Sequence, residues 1–546
     1  MEIPKPGYVL LSKAEAQPIK NTGNPGGFNY TRYCAFEGVY HAVFAKPGEW
    51  KILLRNKPGK LRSLIIDLRQ YAISGIRKYL PAENNIQGIA EALVVGYKED
   101  LDKDLLQAYS NTGVVHIIAI SGLHLALVYY ILMLLISRIP WLKKKIWIQS
   151  VFCIACLWIF SLVSGASASV LRSAVMFSFV LAGKSFGYSG SIANSLACSA
   201  FFLLMYNPYF LWDIGFQLSY LAVVGIVALQ EPLYRLLFIK YKVLRYLWKA
   251  CTVSISAQIT TLPFCLYYFH QFPVYFLPAN LIAVPLSSAI LVVEFFLIAF
   301  SWIHPVALLA GKATTIMIQV MNYVIQFIEQ LPGATIKEIF FPFITCILIS
   351  TSILFFGLAL RGVSFRNLKF GIYFLLMALT ANGLLIYDAR KKPVFIVYKT
   401  PGYSSADFIE GGKYLNFSDS LLNKQKVNRY VWAPSRTLFA SVKVAEKKIA
   451  QHQPGLVEFH HKRILRLDAV SLFPGKVEHA DILIISHNAE VDLDSLLRKF
   501  KPEIVVFDAS NNLWKIAKWK SICDRLALPC FSVPEQGAFV YFPLRK

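Results

Sequence analysis

Two histidines, a serine and a glycine stand at the start of a long apolar stretch, in the segment GVVHIIAISGLHLALV at 113–128. They are His116, Ser121, Gly122 and His124. On a straight helix the two histidines would lie roughly 80° apart around the axis and share a broad face. Gly122 could loosen or break that helix and bring backbone carbonyls into a cavity. Because polar groups within an apolar segment are costly and mark functional sites, this pattern predicts the start of a hydrophilic path.

Three later apolar segments are interrupted by polar residues in the same way. They are SGASASVLRSAV, WDIGFQLSYLAVVGI and SAQITTLPFCLYYFHQFPVYFLPANLIAVPL. Small residues in the first allow close helix packing, and prolines in the third interrupt helices. Broken helices with polar groups at the midplane are typical of a translocation path. The candidate path residues in these segments are Arg172, Asp213, Gln217, Gln258, His270 and Asn280.

Each of these groups also has a purely structural interpretation. Ser219, Thr260 and Thr261 could bond their own helices. Asp213 could cap a helix, and the histidines could be hydrogen-bond partners between helices. A zinc site is less favoured, because the chain has no HExxH motif and its nine cysteines show no metal-ligand spacing. We therefore predict no metal and no cofactor.

The composition indicates a membrane protein. The chain has 546 residues, of which 56% are hydrophobic, and its mean hydropathy is +0.49; soluble domains are about 45–50% apolar. Its apolar runs are long enough to cross a hydrocarbon core of about 30 Å, and no cleavable signal is apparent at the start. About ten spans are predicted, near 117–137, 146–165, 170–187, 190–206, 214–229, 250–269, 279–302, 306–330, 343–360 and 370–388.

Lysine and arginine in the short loops predict the orientation. One set of alternating loops is basic, whereas the opposite loops at 207–213 and 270–278 contain neither residue. The basic set should be cytoplasmic, which places both terminal domains on the outer face. The net charge of +24 also suggests a polyanionic partner, either lipid headgroups or nucleic acid. The basic loop residues include Arg138, Lys143, Lys144, Lys145, Lys184, Arg235, Lys240, Lys242, Arg245, Lys249, Arg361, Arg366 and Lys369.

The flanking regions predict the rest of the architecture. Residues 1–56 contain turn signals in NPGGFNYTRY and a strand-like GVYHAVF, which predict a small β-rich domain. Residues 57–112 are interpreted as amphipathic and linker helices. Residues 113–390 form the predicted transmembrane domain, and the basic stretch within it at 231–249 should lie along the inner membrane surface. Residues 391–546 alternate short β-branched runs with helical periods, which predicts an α/β domain. The fold class is a polytopic α-helical membrane protein with these two flanking domains.

The polar segments, in this order and spacing, resemble the competence domain of the ComEC family. The strings that carry the resemblance are HIIAISGLHLAL, GFQLSYLAVVGI and AQITTLPFCLYYFHQFPVYFLPANLIAVPL, and NPGGFNYTRYCAFEGVY resembles the end of that family's OB-fold-like domain. Members usually have spans and several strands ahead of that turn, so the resemblance implies a partial OB-like domain here. It also implies that DNA arrives from outside and crosses as a single strand. Aromatic and basic residues of the OB-like segment are plausible DNA contacts by stacking, with a core role as the alternative. These residues are Phe28, Tyr30, Arg32 and Tyr33.

The C-terminal domain resembles the metallo-β-lactamase-like domain with which many ComEC proteins end. Those domains carry an HxHxDH metal motif, and the matching stretch here is DILIISHNAEVDLDSLL. His487 occupies the first histidine position, but Ala489, Val491 and Asp492 replace the second histidine, the aspartate and the last histidine. One histidine cannot hold two metals, so we predict a degenerate, non-catalytic domain. Cys523 and Cys530 could pair if this domain faces an oxidising compartment.

The resulting functional hypothesis is a non-enzymatic channel that passes single-stranded DNA across the cytoplasmic membrane in natural transformation. The resemblance implies membrane lipids, a DNA receptor on the outer face, a cytoplasmic DNA-translocating motor and, where one is needed, a separate nuclease as partners. Two alternatives remain open. One is a small-molecule or ion permease, which the flanking domains and the basic charge disfavour. The other is an intramembrane metal-dependent hydrolase that uses His116, His124 and His270.

Overall fold

The structure is a computed structural model that divides into two compact units. The helical unit comprises Met1–Ala14, Ala45–Lys337 and Phe343–Met377, and the sheet unit comprises Glu15–Phe44, Glu338–Pro342 and Ala378–Lys546. Lys143 and Lys144, on which the predicted orientation partly rests, lie outside the residues that the structure describes. Those described residues are 7–46, 48–55, 59–139, 145–188, 191–362, 364–419, 424–446, 455–468 and 479–543.

The N-terminal region differs from the predicted β-rich domain at 1–56. Strand β1 (Tyr8–Ser12) pairs antiparallel with β4 (Trp50–Arg55) and belongs to the helical unit. Strands β2 (Gln17–Pro18) and β3 (His41–Ala42) and helix α1 (Tyr30–Phe36) belong to the sheet unit. The predicted turn region becomes α1 because the side chain of Asn29 accepts the Arg32 backbone N–H at 2.9 Å and caps the helix. Residues 7–55 therefore do not form one compact domain.

Residues 59–112 are helical, as predicted, but one of their helices is buried in the core of the helical unit rather than serving as a linker. They form α2 (Lys60–Tyr79), α3 (Ile86–Val95) and α4 (Lys103–Asn111), and α5 (Val115–Ile118) follows. Every residue of α3 except Gln87 is buried, including Glu91. The sequence IQGIAEALVV explains this burial, because a helix that is apolar on nearly all sides packs within a core.

The carboxylate of Glu91 is held by Arg77, whose Nε lies 2.6 Å from Oε1. A second N–H of Arg77 reaches Asp100 at 2.7 Å. The prediction of amphipathic and linker helices for 57–112 thus missed a buried helix and the ion pair that compensates the charge of Glu91. Mixed charge in the sequence hid the helix, since the charges that flank it are its partners.

Ten helices occur at the ten positions predicted to span the membrane. Seven of them are long and apolar enough to cross a bilayer; the exceptions are α6 (Gly122–Ser137), α8 (Ala168–Ser185) and α9 (Ile192–Tyr206). Helices α6 and α9 have 16 and 15 residues, and α8 carries Arg172, Lys184 and several serines. The protein is therefore a polytopic membrane protein. The ten helices are α6 (Gly122–Ser137), α7 (Ile146–Val163), α8 (Ala168–Ser185), α9 (Ile192–Tyr206), α10 (Ile214–Tyr234), α11 (Lys242–Phe269), α12 (Phe276–Ala299), α13 (His304–Gln330), α14 (Phe343–Gly362) and α15 (Phe365–Lys391).

Two short strands join the loops of the helical unit. Strand β5 (Phe272–Pro273) follows α11 and pairs antiparallel with β6 (Thr335–Ile336), which follows α13. The backbone N–H of Val274 adds a bond to the Ala334 carbonyl at 2.9 Å. This pairing ties together the loops at one end of α11, α12 and α13.

The sheet unit contains two five-stranded sheets. The first has the strand order β10-β9-β8-β7-β16, and the second has the order β11-β12-β13-β14-β15. Strands β12 to β15 are parallel, and parallel neighbours need crossover connections. The first sheet consists of β7 (Val394–Val397), β8 (Ser405–Glu410), β9 (Lys413–Ser418), β10 (Val442–Glu446) and β16 (Phe539–Tyr541). The second consists of β11 (Gly455–Phe459), β12 (Lys462–Leu467), β13 (Ile482–Ile485), β14 (Ile504–Phe507) and β15 (Cys530–Ser532).

Helices cover the outer face of each sheet. Helices α16 (Lys424–Val427) and α17 (Ala433–Leu438), linked by a π-helical turn, contribute Trp432 to the core of the first sheet. Helices α18 (Leu493–Phe500) and α19 (Leu513–Arg525) are the crossovers of the second sheet and bury Phe500 and Trp519 against it. The last short helix is α20 (Val533–Gln536).

The two sheets share one apolar core between them. Phe395 and Phe408 from the first sheet have ring centroids 4.5 Å apart, and Ile464 and Ile484 of the second sheet belong to the same cluster. The resulting order of layers is helix, sheet, sheet, helix. The strands and helices expected from the β-branched runs and helical periods of 391–546 are present.

Candidate functional site

The predicted break in the first span lies just before Gly122. Helix α5 ends at Ile118, and Ala119 and Ser121 have extended backbone conformations. The backbone N–H of Ser121 donates to Nδ1 of His124 at 3.0 Å, so His124 helps to cap α6. His124 is buried. The helix therefore restarts at Gly122 because of this capping interaction rather than because glycine weakens it.

Gly122 allows α6 and α8 to approach each other closely. A Cβ atom built on Gly122 would lie 2.6 Å from Oγ of Ser173 and 2.7 Å from Nη2 of Arg172. Real Cβ atoms essentially never make contacts that short. The lack of a side chain at 122 thus places the start of α6 directly beside the Arg172 guanidinium.

Arg172 is buried and is held by hydroxyl groups. Its Nε donates to Oγ of Ser219 at 2.7 Å, and its Nη2 donates to Oγ of Ser173 at 2.9 Å. The guanidinium lies 5.7 Å from the ring centroid of Tyr220, and only 4% of the residue is exposed. Over the described residues, no carboxylate forms an ion pair with Arg172. The buried positive charge of Arg172 therefore interacts with neutral polar and aromatic groups in the described part of the chain.

Further hydroxyl groups extend this site across four helices. Oγ of Ser169 on α8 lies 3.0 Å from Oγ of Ser219 on α10. The hydroxyl of Tyr220 lies 2.9 Å from Oγ of Ser199 on α9. We call the set Gly122, Ser169, Arg172, Ser173, Ser199, Ser219 and Tyr220 the arginine cluster. The structure therefore brings together residues from three of the four apolar segments that polar residues interrupt.

The structural alternatives for the serine and threonine residues have different outcomes. Ser219 bonds α8 rather than its own helix, so that alternative is wrong for it. Thr261 does bond its own helix, donating to the Ala257 carbonyl at 2.9 Å. Thr260 bonds both its own helix and the Leu221 carbonyl of α10, the latter at 2.8 Å. The sequence does not predict Tyr220 as part of the site, because Gln217 and Ser219 in the same segment are the more polar residues.

Asp213 and Gln217 mark the start of α10. The carboxylate of Asp213 accepts the Phe216 backbone N–H at 2.6 Å, so Asp213 is an N-cap, as its structural alternative held. Nε2 of Gln217 donates to the Leu211 carbonyl at 2.7 Å. Its Oε1 is buried and has no hydrogen-bond partner within the described part of the chain. Of this pair, only Gln217 has a buried polar atom without a partner in the described residues.

The other predicted path residues lie on different elements from the arginine cluster. His270 follows α11 with a positive φ of 52°, and Asn280 donates to the Phe276 carbonyl in the first turn of α12 at 2.8 Å. Gln258 is half-buried within α11, and His116 is exposed on α5. In the portions described, no recorded hydrogen bond joins these four residues to Arg172. No group of three or more His, Cys, Asp and Glu residues there is placed to hold a metal.

The aromatic residues of the N-terminal region are on the surface rather than in a core. Phe28 is 64% exposed, Tyr30 52% and Tyr33 49%. The rings of Tyr30 and Tyr33 are 6.3 Å apart and inclined by 25°, and Phe28 lies 5.7 Å from Tyr33. The guanidinium of Arg32 lies 5.3 Å from the ring of Phe36. Helix α1 thus displays a cluster of accessible aromatic faces beside a positive charge.

In the sheet unit, His487 follows β13 and is bound to a carboxylate that the sequence did not reveal. Its Nε2 lies 2.9 Å from Oδ2 of Asp419, and Nη2 of Arg466 lies 3.2 Å from Oδ1 of the same residue. Asp419 follows β9, 68 positions away in sequence. The backbone N–H of Ser404 also donates to Asp419 at 2.7 Å. Both carboxylate oxygens therefore already have donors.

The positions that replace the metal motif have ordinary structural roles. Ala489 is buried in the core of the second sheet, and Val491 packs against the same core. Asp492 precedes α18 and accepts a hydrogen bond from Ser495 at 2.5 Å. Cys523 and Cys530 are free thiols. Burial raises the pKa of Cys523 to about 12, so the thiol is unreactive at neutral pH.

The contact between His487 and Asp419 predicts pH-dependent stability of the sheet unit. The hydrogen bond to Asp419 raises the pKa of His487. Burial acts against ionisation of Asp419, but the hydrogen bond from His487 and the Ser404 N–H together lower its pKa. Histidine in an unfolded chain has a pKa of about 6.5. Stabilisation by protonated His487 is thus fully present below that pH. It is lost as pH rises through the higher pKa that His487 has in the folded protein.

We therefore expect the thermal midpoint of the sheet unit to fall as pH rises above about 6.5. His487→Gln should remove this decline, because glutamine does not titrate. The measurement is the unfolding temperature of the full chain in detergent, followed by tryptophan fluorescence across this range, for wild type and variant. An identical pH profile in the two proteins would contradict the assignment.

Comparison with known proteins gives the family. A family model described as Competence protein matches residues 93–363, and a second, described as ComEC C-terminal domain, matches residues 395–543. ComE operon protein 3 of Bacillus subtilis (strain 168) is 31% identical over 261 residues, which are 48% of this chain and 32% of that protein. The aligned region thus spans about a third of the relative's length. No solved structure matches the chain. The first model covers the arginine cluster and the second covers both sheets, and the chain belongs to the ComEC family of competence proteins.

Proposed function

We propose that the chain is a channel that passes single-stranded DNA across the cytoplasmic membrane during natural transformation. The observation that carries this proposal is the buried Arg172 without a carboxylate partner in the described residues. A charge in such surroundings is costly to maintain unless it serves a ligand of opposite sign. A DNA strand supplies one phosphate per nucleotide, and a guanidinium matches phosphate geometry well.

The start of α6 strengthens the same site. Its first residue, Gly122, lies against Arg172, and the N-terminal end of a helix carries a partial positive charge. The serines of the arginine cluster offer neutral hydrogen-bonding groups that can exchange partners. A passing phosphate would therefore meet one full charge, one helix end and several hydroxyls, an environment that attracts the strand without binding it irreversibly.

The remaining predicted path residues would line the route beyond this cluster. His116 would lie at the outer mouth, while Gln217, Gln258, His270 and Asn280 would offer uncharged or switchable polar groups. If the basic loops are cytoplasmic, as the positive-inside rule predicts, both terminal domains would lie on the outer face of the cytoplasmic membrane. The family resemblance implies a DNA receptor outside, a translocating motor inside, and a separate nuclease where one is needed.

The sheet unit would be a degenerate metallo-β-lactamase-like domain without catalysis. Its order of layers suits that ancestry, and the position of the first motif histidine is occupied by His487 paired with Asp419. With Arg466 and Ser404 also bound to it, both oxygens of Asp419 already accept hydrogen bonds, which disfavours a role as a metal ligand. The domain would therefore act as a structural or docking element.

DNA uptake in competent cells that lack the gene tests the function. Cells that express the chain should accumulate labelled DNA in a nuclease-protected, cytoplasmic form, whereas cells without it should hold DNA only at the surface. Uptake unchanged by the deletion would refute the proposal. Purified chain in liposomes separates the permease alternative, which requires flux of small ions or solutes without DNA.

Helix α1 is expected to be the first DNA contact in the N-terminal region. Replacing Phe28, Tyr30 or Tyr33 by alanine should weaken binding of a single-stranded oligonucleotide by about 1–3 kcal/mol for each stacked base lost. Stability should change little, because all three rings are exposed. The measurement is fluorescence anisotropy of a labelled oligonucleotide at fixed salt.

Trp514→Ala is the matched control for this prediction. Trp514 is also a large exposed aromatic residue of the sheet unit, with 67% of its surface accessible, but it lies on α19. Its replacement should leave the affinity unchanged. Equal losses for Trp514 and the α1 residues would show nonspecific stacking and contradict a role for α1.

A further inference from the structure

A carboxyl group without a partner lies inside the helical core. Glu294, on α12, is fully buried. Neither carboxyl oxygen has a hydrogen-bond partner in the described ranges of the chain. Its buried neighbours on the same helix face include Ile290, Leu291 and Leu297. An isolated carboxylate is not tolerated in such surroundings, so the enclosed group must carry its proton.

The other buried glutamate of the helical core shows how a structural carboxylate is accommodated. Glu91 on α3 is also fully buried, but Arg77 binds both of its oxygens, at 2.6 and 3.2 Å. Glu294 has no such arrangement. Because a methionine or leucine would fill the same volume without a polar cost, stability alone does not account for a glutamate at this position.

The charged side chains on the helices packed against α12 have other partners or are exposed. Arg77 is held by Glu91 and Asp100, and Ser121 donates to His124. Glu329 on α13 accepts from Asn111 at 2.6 Å. Exposed groups on these elements include Lys78, His116, Lys242, Arg245, His304 and Lys312. Among the described residues, none of these groups forms an ion pair or hydrogen bond with Glu294.

Glu294 continues a line of polar residues along the buried face of α12. Asn280, Ser287 and Glu294 follow one another at intervals of seven residues and are all buried. Seven residues are nearly two helical turns, so the three side chains share one face at steps of about 10 Å. Pro285 lies between the first two and cannot donate a hydrogen bond to the carbonyl four residues before it. The buried face of α12 therefore offers polar groups along most of the helix.

We propose that Glu294 is a proton-binding site, neutral while the buried face of α12 is closed and ionised when water reaches that face. On opening, the O–H bond of the carboxyl breaks and its proton passes to water; on closing, a proton returns from water and the neutral group is enclosed again. The inferred consequence, which rests on the proposed function, is that passage of a strand through the helical unit is linked to proton release at Glu294.

Chemical modification tests the proton site independently of DNA transport. The apolar reagent dicyclohexylcarbodiimide attacks protonated carboxyls, and it would be applied to the purified full chain in liposomes, with the modified peptides identified by mass spectrometry. We expect Glu294 to be modified about tenfold more than the ion-paired Glu91 at neutral pH, a ratio equivalent to one pKa unit. Equal modification of both residues, or none at Glu294, would overturn the proposal.

The stability of two variants supplies a second readout that does not depend on reagent access. Glu294→Met should unfold at the same or a higher temperature than wild type, because it removes an unpaired polar group from an apolar core. Glu329→Gln is the control, since it changes a glutamate on the neighbouring helix that already has a donor. A large loss of stability in Glu294→Met would show that the carboxyl has a structural partner and would overturn the proposal.

Proton movement in the same liposomes tests the link to transport. With a trapped pH indicator, an imposed membrane potential and an external single-stranded oligonucleotide, wild type and Glu329→Gln should move protons together with DNA. Glu294→Gln should lose that proton movement by about tenfold or more. Wild-type liposomes that take up no oligonucleotide would refute the proposed function, whereas DNA uptake with equal proton movement in Glu294→Gln would refute the link.

Discussion

Replacing Arg172 by alanine is expected to lower entry of DNA into the cytoplasm strongly while the chain remains in the membrane. Hydrogen bonds to a charged partner contribute about 1.5–3 kcal/mol each, so loss of one phosphate contact should lower the uptake rate by about ten- to a hundredfold. Transformation frequency and nuclease-protected labelled DNA measure the effect, and immunoblots of membranes give the protein level.

Stability separates a functional arginine from a structural one. Replacing a buried charge by an apolar side chain of similar volume is often neutral or stabilising. Arg172→Met should therefore retain or raise the unfolding temperature while uptake is lost. Arg172→Lys should keep partial activity, because an ammonium supplies the charge but not the planar fork of donors. Uptake that follows stability across the three variants would contradict a phosphate contact.

Arg361 provides the matched control on a neighbouring helix. Its Nε donates to the Ala228 carbonyl of α10 at 3.2 Å, and its side chain is exposed rather than buried. Arg361→Ala removes the same charge from the helical unit but not from the arginine cluster, so uptake should change little. Equal losses for Arg172→Ala and Arg361→Ala would indicate a general effect of net charge.

Gly122→Ala perturbs the same site without removing the charge. The new Cβ would overlap Oγ of Ser173 and Nη2 of Arg172, so the guanidinium must shift. Arginine is flexible enough to move without unfolding the chain. Uptake should therefore fall with little loss of protein, which would show that the position of the charge matters as well as its presence.

The sequence predicted the polar groups of this site but not which of them meet. A residue such as Arg172 is conspicuous within an apolar run, and a buried arginine requires partners. Those partners, Ser219 and Tyr220, lie 47 and 48 positions later, and only helix packing brings them near. The sequence predicts that Gly122 weakens a helix, whereas in the structure it makes room for the guanidinium of another helix.

Two further features were hidden because their partners are distant in sequence. The charges around α3 suggested a polar linker, but Arg77 and Glu91 neutralise each other inside the core. The loss of the metal motif around His487 was legible in the sequence, whereas its pairing with Asp419 arises only when two sheets meet at their strand ends. Local patterns therefore predicted the positions of the membrane helices and the strands and helices of 391–546, whereas pairing across elements required the fold.

Replacing Asp407 by alanine is expected to have the largest effect on the folding of the sheet unit. Asp407 is fully buried and binds Arg436 through two bonds, from Nε at 2.8 Å and from Nη2 at 3.1 Å. The hydroxyl of Tyr398 and the amide of Asn416 donate to the same carboxylate at 2.9 and 2.6 Å. Without it, a guanidinium that is only 4% exposed would be left uncompensated. Breaking one side of such a pair costs about 3–5 kcal/mol.

The Asp407→Ala variant also tests whether uptake needs a folded sheet unit even though that unit is proposed to be non-catalytic. Limited proteolysis of the full chain should detect unfolding of 394–541 in Asp407→Ala, and the double variant Asp407→Leu with Arg436→Met should restore resistance, because an apolar pair leaves no isolated charge. His487→Gln should keep this region folded.

If the domain serves as a scaffold, uptake should fall in Asp407→Ala, recover in the double variant and persist in His487→Gln. Loss of uptake in a folded His487→Gln would instead assign chemistry to the site formed by His487 and Asp419 and contradict a non-catalytic domain.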